Sequence, residues 1–273
     1  MLEHLLSVWP EMAARFRGAR HILLMTDYDG TLTPIVERPE LAELAEPVRR
    51  LLRALAHERH FTVGVVSGRA LPDLKDRVRL SNIVYAGNHG LEVEGPGISF
   101  VNPLAEELRP VLRILNYVLC QALGKIKGVL VEDKGLTLSI HYRLADPGRV
   151  GELRSVVEKI VGHAEAAGKV KRTSGKKVYE VRPRVAWDKG KAVKLLMRKY
   201  ANGDRRSGLL PVYLGDDATD EDAFRAIGAY GSGVSVFVGE PGAHSSAGYF
   251  LKSPAEVATF LGKLLEQSNR RAE

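Results

Sequence analysis

The chain has 273 residues, 45% of them hydrophobic and 27% charged, with a formal net charge of +7 at pH 7. These are ordinary globular values, which exclude disorder over the whole length, and the length predicts about one to two domains. No apolar run approaches the ~18 residues of a membrane-spanning helix, and the single Cys120 excludes an internal disulfide or a cysteine-built metal site.

Glu3, His4, Trp9, Pro10 and Glu11 interrupt the first apolar stretch, so no secretory signal is expected. A reducing cytoplasm is the expected location. Residues 5–17 predict a short amphipathic helix stopped at Gly18. The run HILLMT at 21–26 is apolar on both faces and predicts a buried parallel strand. Residues 47–60 repeat apolar side chains at helical spacing, 61–66 predict a second buried strand and 71–78 a short helix. A third strand is predicted over 82–86. Strand and helix thus alternate, with glycine and polar residues at each strand's C-terminal end, and this predicts a doubly wound α/β core. Ligands of such sheets bind beyond the carboxyl ends of the strands.

The pattern changes over 103–184. A long helix is predicted over 105–123, strands over 129–132 and 136–143 around Asp133-Lys134-Gly135, and a helix over 148–166. Strands over 169–173 and 177–182 follow, turning at Ser174-Gly175. Strand pairs joined by tight turns predict a smaller α+β unit inserted between two core segments, 1–102 and 185–273. The same segment carries 16 Lys and Arg against 9 Asp and Glu, whereas the rest of the chain is balanced at 24 each. The excess charge therefore sits in the insert and suits an anionic partner. Few aromatics and no RNA-binding signature argue against nucleic acid, and a phosphorylated small molecule fits. After Pro183 the doubly wound pattern returns, with helices predicted over 190–200, 221–226 and 254–267 and strands over 211–214 and 234–238.

The strand ends carry the chemistry. Asp27-Tyr28-Asp29-Gly30-Thr31 closes the first strand with two carboxylates that can face one cleft. One can be a nucleophile or metal ligand and the other a general acid and base; a solvated Asp-Gly turn is the plainer alternative. Ser67-Gly68-Arg69 closes the second strand with a hydroxyl able to donate to phosphate. Gly215-Asp216-Asp217-Ala218-Thr219-Asp220-Glu221-Asp222 crowds five acids at a late strand end. A bound Mg²⁺ would relieve their repulsion, although Asp220 and its successors also suit a helix start. Lys189, just before a helix, can neutralise a phosphate. Together these residues suit Mg²⁺-assisted phosphoryl transfer through an aspartyl-phosphate. No phosphate loop, nucleophile elbow or HExxH zinc motif is present.

These four motifs resemble those of the haloacid dehalogenase superfamily. Gly87-Asn88-His89-Gly90, Val131-Glu132-Asp133-Lys134-Gly135, His141-Tyr142-Arg143, Glu180-Val181-Arg182-Pro183 and GDDATDEDAF more narrowly resemble the trehalose-6-phosphate phosphatase family, whose core carries an inserted α/β cap. The resemblance implies Asp27 as nucleophile, Asp29 as acid and base, and Ser67 and Lys189 as phosphate holders. It implies Mg²⁺ on Asp27, the Asp29 backbone carbonyl and Asp216, with Asp217 and Asp220 behind them. It further implies substrate contacts from Thr31, Gly68, Arg69, Asn88 and His89 in the core, and from Glu132, Lys134, Lys176, Glu180 and Arg182 in the cap. The expected protein is a monomer acting on a small sugar phosphate, with no nucleic-acid or membrane partner. Sucrose-phosphate or glycosyl-3-phosphoglycerate phosphatases share this core and cap type, and a phosphosugar-binding regulator without catalysis is the alternative of another class. Asp27 and Asp29 argue against that regulator, since a pure binder needs no acid/base pair.

Overall fold

The computed structural model describes residues 2–36, 38–175, 177–201, 208–240 and 245–272. Residues up to Phe100 together with those from Trp187 onward form one compact unit, and Val101–Ala186 form a second.

The first unit opens with β1 (Glu3–His4) and α1 (Trp9–Gly18), then β2 (His21–Thr26), α2 (Glu46–His57), β3 (Phe61–Val66), α3 (Leu71–Val78) and β4 (Val84–Gly87). A hairpin, β5 (Glu92–Gly95) and β6 (Ile98–Val101), leads into the second unit. There lie α4 (Pro103–Glu107), α5 (Arg109–Leu123), β7 (Leu130–Asp133), β8 (Leu138–His141), α6 (Val150–Ala166), β9 (Val170–Gly175) and β10 (Val178–Pro183). The chain then returns to the first unit through α7 (Lys189–Tyr200), β11 (Leu209–Gly215), α8 (Glu221–Tyr230), β12 (Val234–Val238), β13 (Tyr249–Leu251) and α9 (Pro254–Ala272).

The core sheet runs in the order β1-β13-β12-β11-β2-β3-β4-β5-β6. It is parallel from β1 to β4, and β5 joins antiparallel to β4. From β2 the chain winds outward through β3 and β4; β11, β12 and β13 lie on the other side. The switch point is therefore between β2 and β11, which pair from Leu209↔His21 to Leu214↔Thr26. The apolar run of β2 is explained by its alternation. Ile22 and Leu24 join the core layer built with α1, α2, α3 and α9, whereas Leu23 and Met25 join the layer built with α7 and α8. β11 divides likewise, with Val212 and Leu214 on one face and Leu209 and Tyr213 on the other. A central strand covered by helices on both faces has no polar side to present.

The second unit is a four-stranded antiparallel sheet in the order β7-β8-β10-β9. Leu138, Ile140 and Val181 pack with Leu112, Leu115 and Leu119 of α5 and Leu153, Val157 and Val161 of α6. The alternation predicted for this strand is present. Ser139 points to the face away from the helices, where it is opposite Glu132 on one neighbour and Glu180 on the other.

Several boundaries differ from the sequence expectation. The first helix starts at Trp9, because residues 3–4 instead pair parallel with β13. The single helix expected over 105–123 is two, broken at Leu108; Pro110, which has no N–H to donate, sits in the first turn of α5. The turn expected at Ser174-Gly175 is strand, with Gly175 paired to Val178. Strands β5, β6 and β13 are short and were not anticipated. Among the described residues no helix is long and apolar enough to cross a membrane.

Leu24 is fully buried at the centre of the sheet. Leu24→Ala is expected to cost about 2–5 kcal/mol through lost transfer energy and the cavity left behind. Urea unfolding checks this, as a lower midpoint at unchanged slope.

Candidate active site

The site begins where β2 ends. Asp27 continues the ladder, its N–H donating to Leu214 O at 2.8 Å, and its side chain is buried. The chain then folds back sharply. Gly30 N–H donates to Thr33 O at 2.8 Å, and the buried Tyr28 hydroxyl donates to Ala42 O at 2.9 Å. Gly30 has a φ of +82°, and a Cβ there would lie 2.1 Å from Asp216 Oδ2. Only glycine therefore allows β2 and β11 to deliver their acids to one place.

Lys189 is brought to Asp27 by α7. The Asp188 side chain accepts from Lys191 N–H at 2.8 Å and caps the helix, which fixes the lysine in the first turn. Lys189 Nζ donates at 2.7 Å to Asp27 Oδ1 and at 2.7 Å to Asp220 Oδ1. Burial works against its charge, but Asp220 and Asp27 outweigh that and hold the ammonium protonated well above the usual lysine range.

Asp220 is fully buried and stands at the N-cap of α8, the helix start that the sequence allowed. The Tyr213 hydroxyl donates to its Oδ1 at 2.6 Å, and the N–H groups of Asp216 and Asp217 donate to its Oδ2 at 3.1 Å each. A Cβ on Gly215 would lie 2.2 Å from Asp220 Cγ, so the glycine ending β11 is a packing requirement. Asp216 is half-buried and accepts from the Thr31 hydroxyl at 3.4 Å. Donor oxygens of Asp27, Asp216 and Asp220 lie within 4.8 Å of one another.

This crowding sets the ionisation of the site. Burial and the neighbouring Asp217 and Asp220 push Asp216 up to about 7. Burial also drives Asp27 upward against the pull of Lys189, with Asp220 and Asp216 adding to the rise. Asp217 moves the other way, down to about 2. Burial opposes that fall, but Lys189 and the two hydrogen bonds from Thr219 outweigh it.

The loops after β3 and β4 complete the core cluster. Ser67 is buried, and its Oγ accepts from Arg69 N–H at 3.2 Å. His89 N–H donates to Ser67 O at 2.8 Å and Asn88 N–H to Arg69 O at 2.7 Å. Asn88 and His89 both have positive φ, 50° and 57°, an uncommon pair of left-handed residues. A Cβ on Gly68 would lie 2.5 Å from the His89 ring. The Asn88 amide donates to Glu92 Oε1 at 2.6 Å, and Arg69 grips Asp29 and Asp73. These two side chains, expected on substrate, are turned to protein partners. The Asp29 carboxylate lies on Arg69, and Asp220 rather than Asp29 completes the group of three acids.

In the second unit, Glu132, Lys134, Glu180 and Arg182, four of the expected sugar contacts, form a row of alternating charge, with His141 beside Glu132. His141 Nε2 lies 2.8 Å from Glu132 Oε2. Lys134 Nζ is 3.9 Å from Glu132 and 3.9 Å from Glu180, and Arg182 pairs with Glu180. Lys176 lies outside the described residues. The sequence reading missed Tyr213, Asp73 and the role of His141. A tyrosine inside an otherwise apolar buried strand was the available signal for Tyr213.

A family model described as trehalose-phosphatase matches residues 25–255. The chain is 34% identical over 273 residues to probable trehalose-phosphate phosphatase 3 of Oryza sativa subsp. japonica, covering 94% of this chain and 73% of that protein. The C-terminal domain of C. albicans trehalose-6-phosphate phosphatase superposes with a TM-score of 0.79 at 26% identity, covering 97% of this chain and 99% of that one. A haloacid dehalogenase-like hydrolase from Bacteroides thetaiotaomicron shares the fold, with a TM-score of 0.61 at 18% identity over 89% of this chain and 99% of that one.

The raised Asp216 makes a signed prediction. In the unfolded chain this group ionises near its ordinary 3.8, and in the folded protein near about 7. The folded state therefore holds the extra proton between those values, and stability from this group falls as pH rises from about 4 to about 7. Chelator-treated protein should melt at a lower temperature at pH 7.5 than at pH 5.5, and Asp216→Asn should flatten that slope. An unchanged slope in the variant would contradict the assignment.

Proposed function

The chain belongs to the trehalose-phosphatase family, and from that premise we propose that it hydrolyses trehalose 6-phosphate to trehalose and phosphate through an aspartyl-phosphate at Asp27. The observation that carries the reading is the buried Asp27 carboxylate, 2.7 Å from the Lys189 ammonium at the switch point of the sheet. A carboxylate fixed against a cation keeps one oxygen for attack while the cation offsets charge developing on the phosphoryl group.

In the first step Asp27 attacks phosphorus, and the P–O bond to the sugar breaks. Asp29 gives its proton to the departing sugar oxygen. In the second step Asp29 takes a proton from water, the water oxygen attacks phosphorus, and phosphate leaves Asp27. The Ser67 hydroxyl and Lys189 hold the phosphoryl oxygens through both steps.

The donor set fits Mg²⁺, because Asp27, Asp216 and Asp220 offer only hard carboxylate oxygens within 4.8 Å of one another. Both oxygens of Asp220 already accept hydrogen bonds, from Lys189, Tyr213 and two backbone N–H groups. Asp27, Asp216 and the Asp29 carbonyl are therefore the residues that would hold the ion, with Asp217 and Asp220 behind them. When bound, Mg²⁺ supplies charge neutralisation at the phosphoryl oxygens.

The core groups address the phosphoryl end alone, so the choice of sugar falls to other residues. Glu132, Lys134 and Glu180 of the second unit supply acceptors and a donor suited to sugar hydroxyls. Their mutual pairing supports the reading, since it keeps both carboxylates and the ammonium preorganised on one face of the small sheet.

Phosphate release over a panel of sugar phosphates tests the whole reading. Trehalose 6-phosphate should give the highest kcat/KM, EDTA should abolish turnover and Mg²⁺ should restore it. Asp27→Asn should lower turnover by on the order of 10³-fold or more with folding intact, and a folded variant with near-normal turnover would remove Asp27 from the nucleophile's place.

Glu180→Ala separates recognition from chemistry. It should lower kcat/KM for trehalose 6-phosphate by about 10–100-fold, the cost of one or two unpaired buried hydroxyls. Turnover of p-nitrophenyl phosphate should be nearly unchanged. Equal loss on both substrates would assign Glu180 to folding instead.

A further inference from the structure

We propose that Arg69 is a positioning residue for Asp29, and that Asp73 in turn positions Arg69. The inference rests on the reading of Asp29 as the proton-transfer group.

The Asp29 side chain is 43% exposed and lies in the turn just before Gly30, so its own packing does not fix its rotamer. Arg69 fixes it. Arg69 Nε donates to Asp29 Oδ2 at 2.7 Å and Nη2 donates to Asp29 Oδ1 at 2.6 Å. This is the two-pronged match of a guanidinium to a carboxylate, which sets orientation as well as distance. No other side chain among the described residues bonds that carboxylate. The fork uses two of about four lone-pair sites on the carboxylate and leaves the others for a proton.

Arg69 is itself immobilised on three sides. Its Nη1 donates to Asp73 Oδ2 at 2.8 Å, and the Tyr28 ring lies 5.3 Å from its Cζ. Asp73 stands in the first turn of α3, four residues on, and is held from behind by Arg77 Nε at 2.8 and 2.9 Å. Arg77 is anchored in turn on the Ala42 carbonyl at 3.1 Å, the residue whose carbonyl also receives the Tyr28 hydroxyl. Asp29, Arg69, Asp73 and Arg77 thus form an alternating row that ties the acid to the body of α3.

The charge balance separates this role from phosphate binding. Two guanidinium groups face two carboxylates, so the row is neutral without substrate. Lys189, by contrast, is outnumbered by acids, as a group that shares a site with a cation and a phosphate must be. Arg69 therefore acts on the reaction through Asp29 and not as a ligand of the phosphoryl group.

Kinetics of Asp73→Asn and Arg69→Lys test the inference, each also placed in an Asp29→Asn background. Asp73→Asn keeps the shape of the side chain, and Arg69→Lys keeps the charge but loses the fork; melting temperatures report whether either is folded. With trehalose 6-phosphate each single variant should lower kcat by about 10-fold and leave KM within about 2-fold, the signature of an interaction that serves the transition state. The first, phosphorylating step with p-nitrophenyl phosphate, whose leaving group needs no acid, should be less affected. In the Asp29→Asn background neither substitution should reduce turnover further, because its target is already gone. A rise in KM at constant kcat would make Arg69 a phosphoryl ligand and overturn the inference, as would an additive loss in the Asp29→Asn background. Near-normal turnover of Asp29→Asn alone would instead overturn the reading of Asp29, and the positioning role with it.

Discussion

The ammonium of Lys189, buried between Asp27 and Asp220 at 2.7 Å from each, is the interaction on which the rest of the site depends. Taking charges out of water is costly, and a buried pair is repaid only if its geometry is good and its remaining polar atoms are bonded. Both conditions are met. Asp220 has Tyr213 and two backbone N–H groups in addition to the lysine. Removing the lysine would leave two buried carboxylates facing each other, whereas removing Asp220 would leave its ammonium free to settle wholly on Asp27. The position of the lysine is thus a compromise between two buried acids on different segments, Asp27 and Asp220.

That compromise demands close approach of four chain segments, and the glycines at the strand ends record the demand. Gly30 admits Asp216, and Gly215 admits Asp220. Gly190, where a Cβ would lie 2.3 Å from Asp222 O, admits α8 against the start of α7. In each case the obstacle is a neighbouring acid-bearing segment. The glycines therefore serve assembly of the acid cluster more than chain flexibility. The same geometry explains why the site sits at the switch point. Only there do two adjacent parallel strands, β2 and β11, end side by side with their following loops turning away in opposite directions.

Much of this was legible because the signals were local. A buried strand and the acid at its tip are neighbours in sequence, so HILLMT followed by Asp27 could be read without knowing what paired with it. Even the insert announced itself, through excess charge and through the alternation of TLSIHY. The resemblance brought Asp27 and Asp216 together, and their oxygens lie within 4.8 Å; what escaped the sequence was which side chains hold one another in place around them. Asp73 looks like an ordinary first-turn acid of α3, and only the fold shows that the side chain it holds is Arg69. The sequence pointed Arg69 and Asn88 toward substrate and was silent on the protein partners they also have, Asp29 and Glu92. The short strands β1, β5, β6 and β13 were illegible for a related reason. With two to four residues each, they are strands by virtue of their neighbours and not of their own periodicity.

The two units hold their polar groups by the same physics. The core spends its polar groups on one another. Lys189, Asp220, Asp29 and Arg69 are all bonded to neighbouring protein groups, which fixes their positions. In the second unit Glu132 pairs closely with His141 and Glu180 with Arg182, and Lys134 stands between the two carboxylates at 3.9 Å from each. At that distance the lysine attracts both acids by charge, while His141 and Arg182 make the close contacts to their oxygens. Groups so arranged are ordered by one another rather than by burial in an apolar core. In both units, then, acids and bases are held by pairing with one another, through buried contacts near 2.7 Å at Lys189 and through a more exposed row around Lys134.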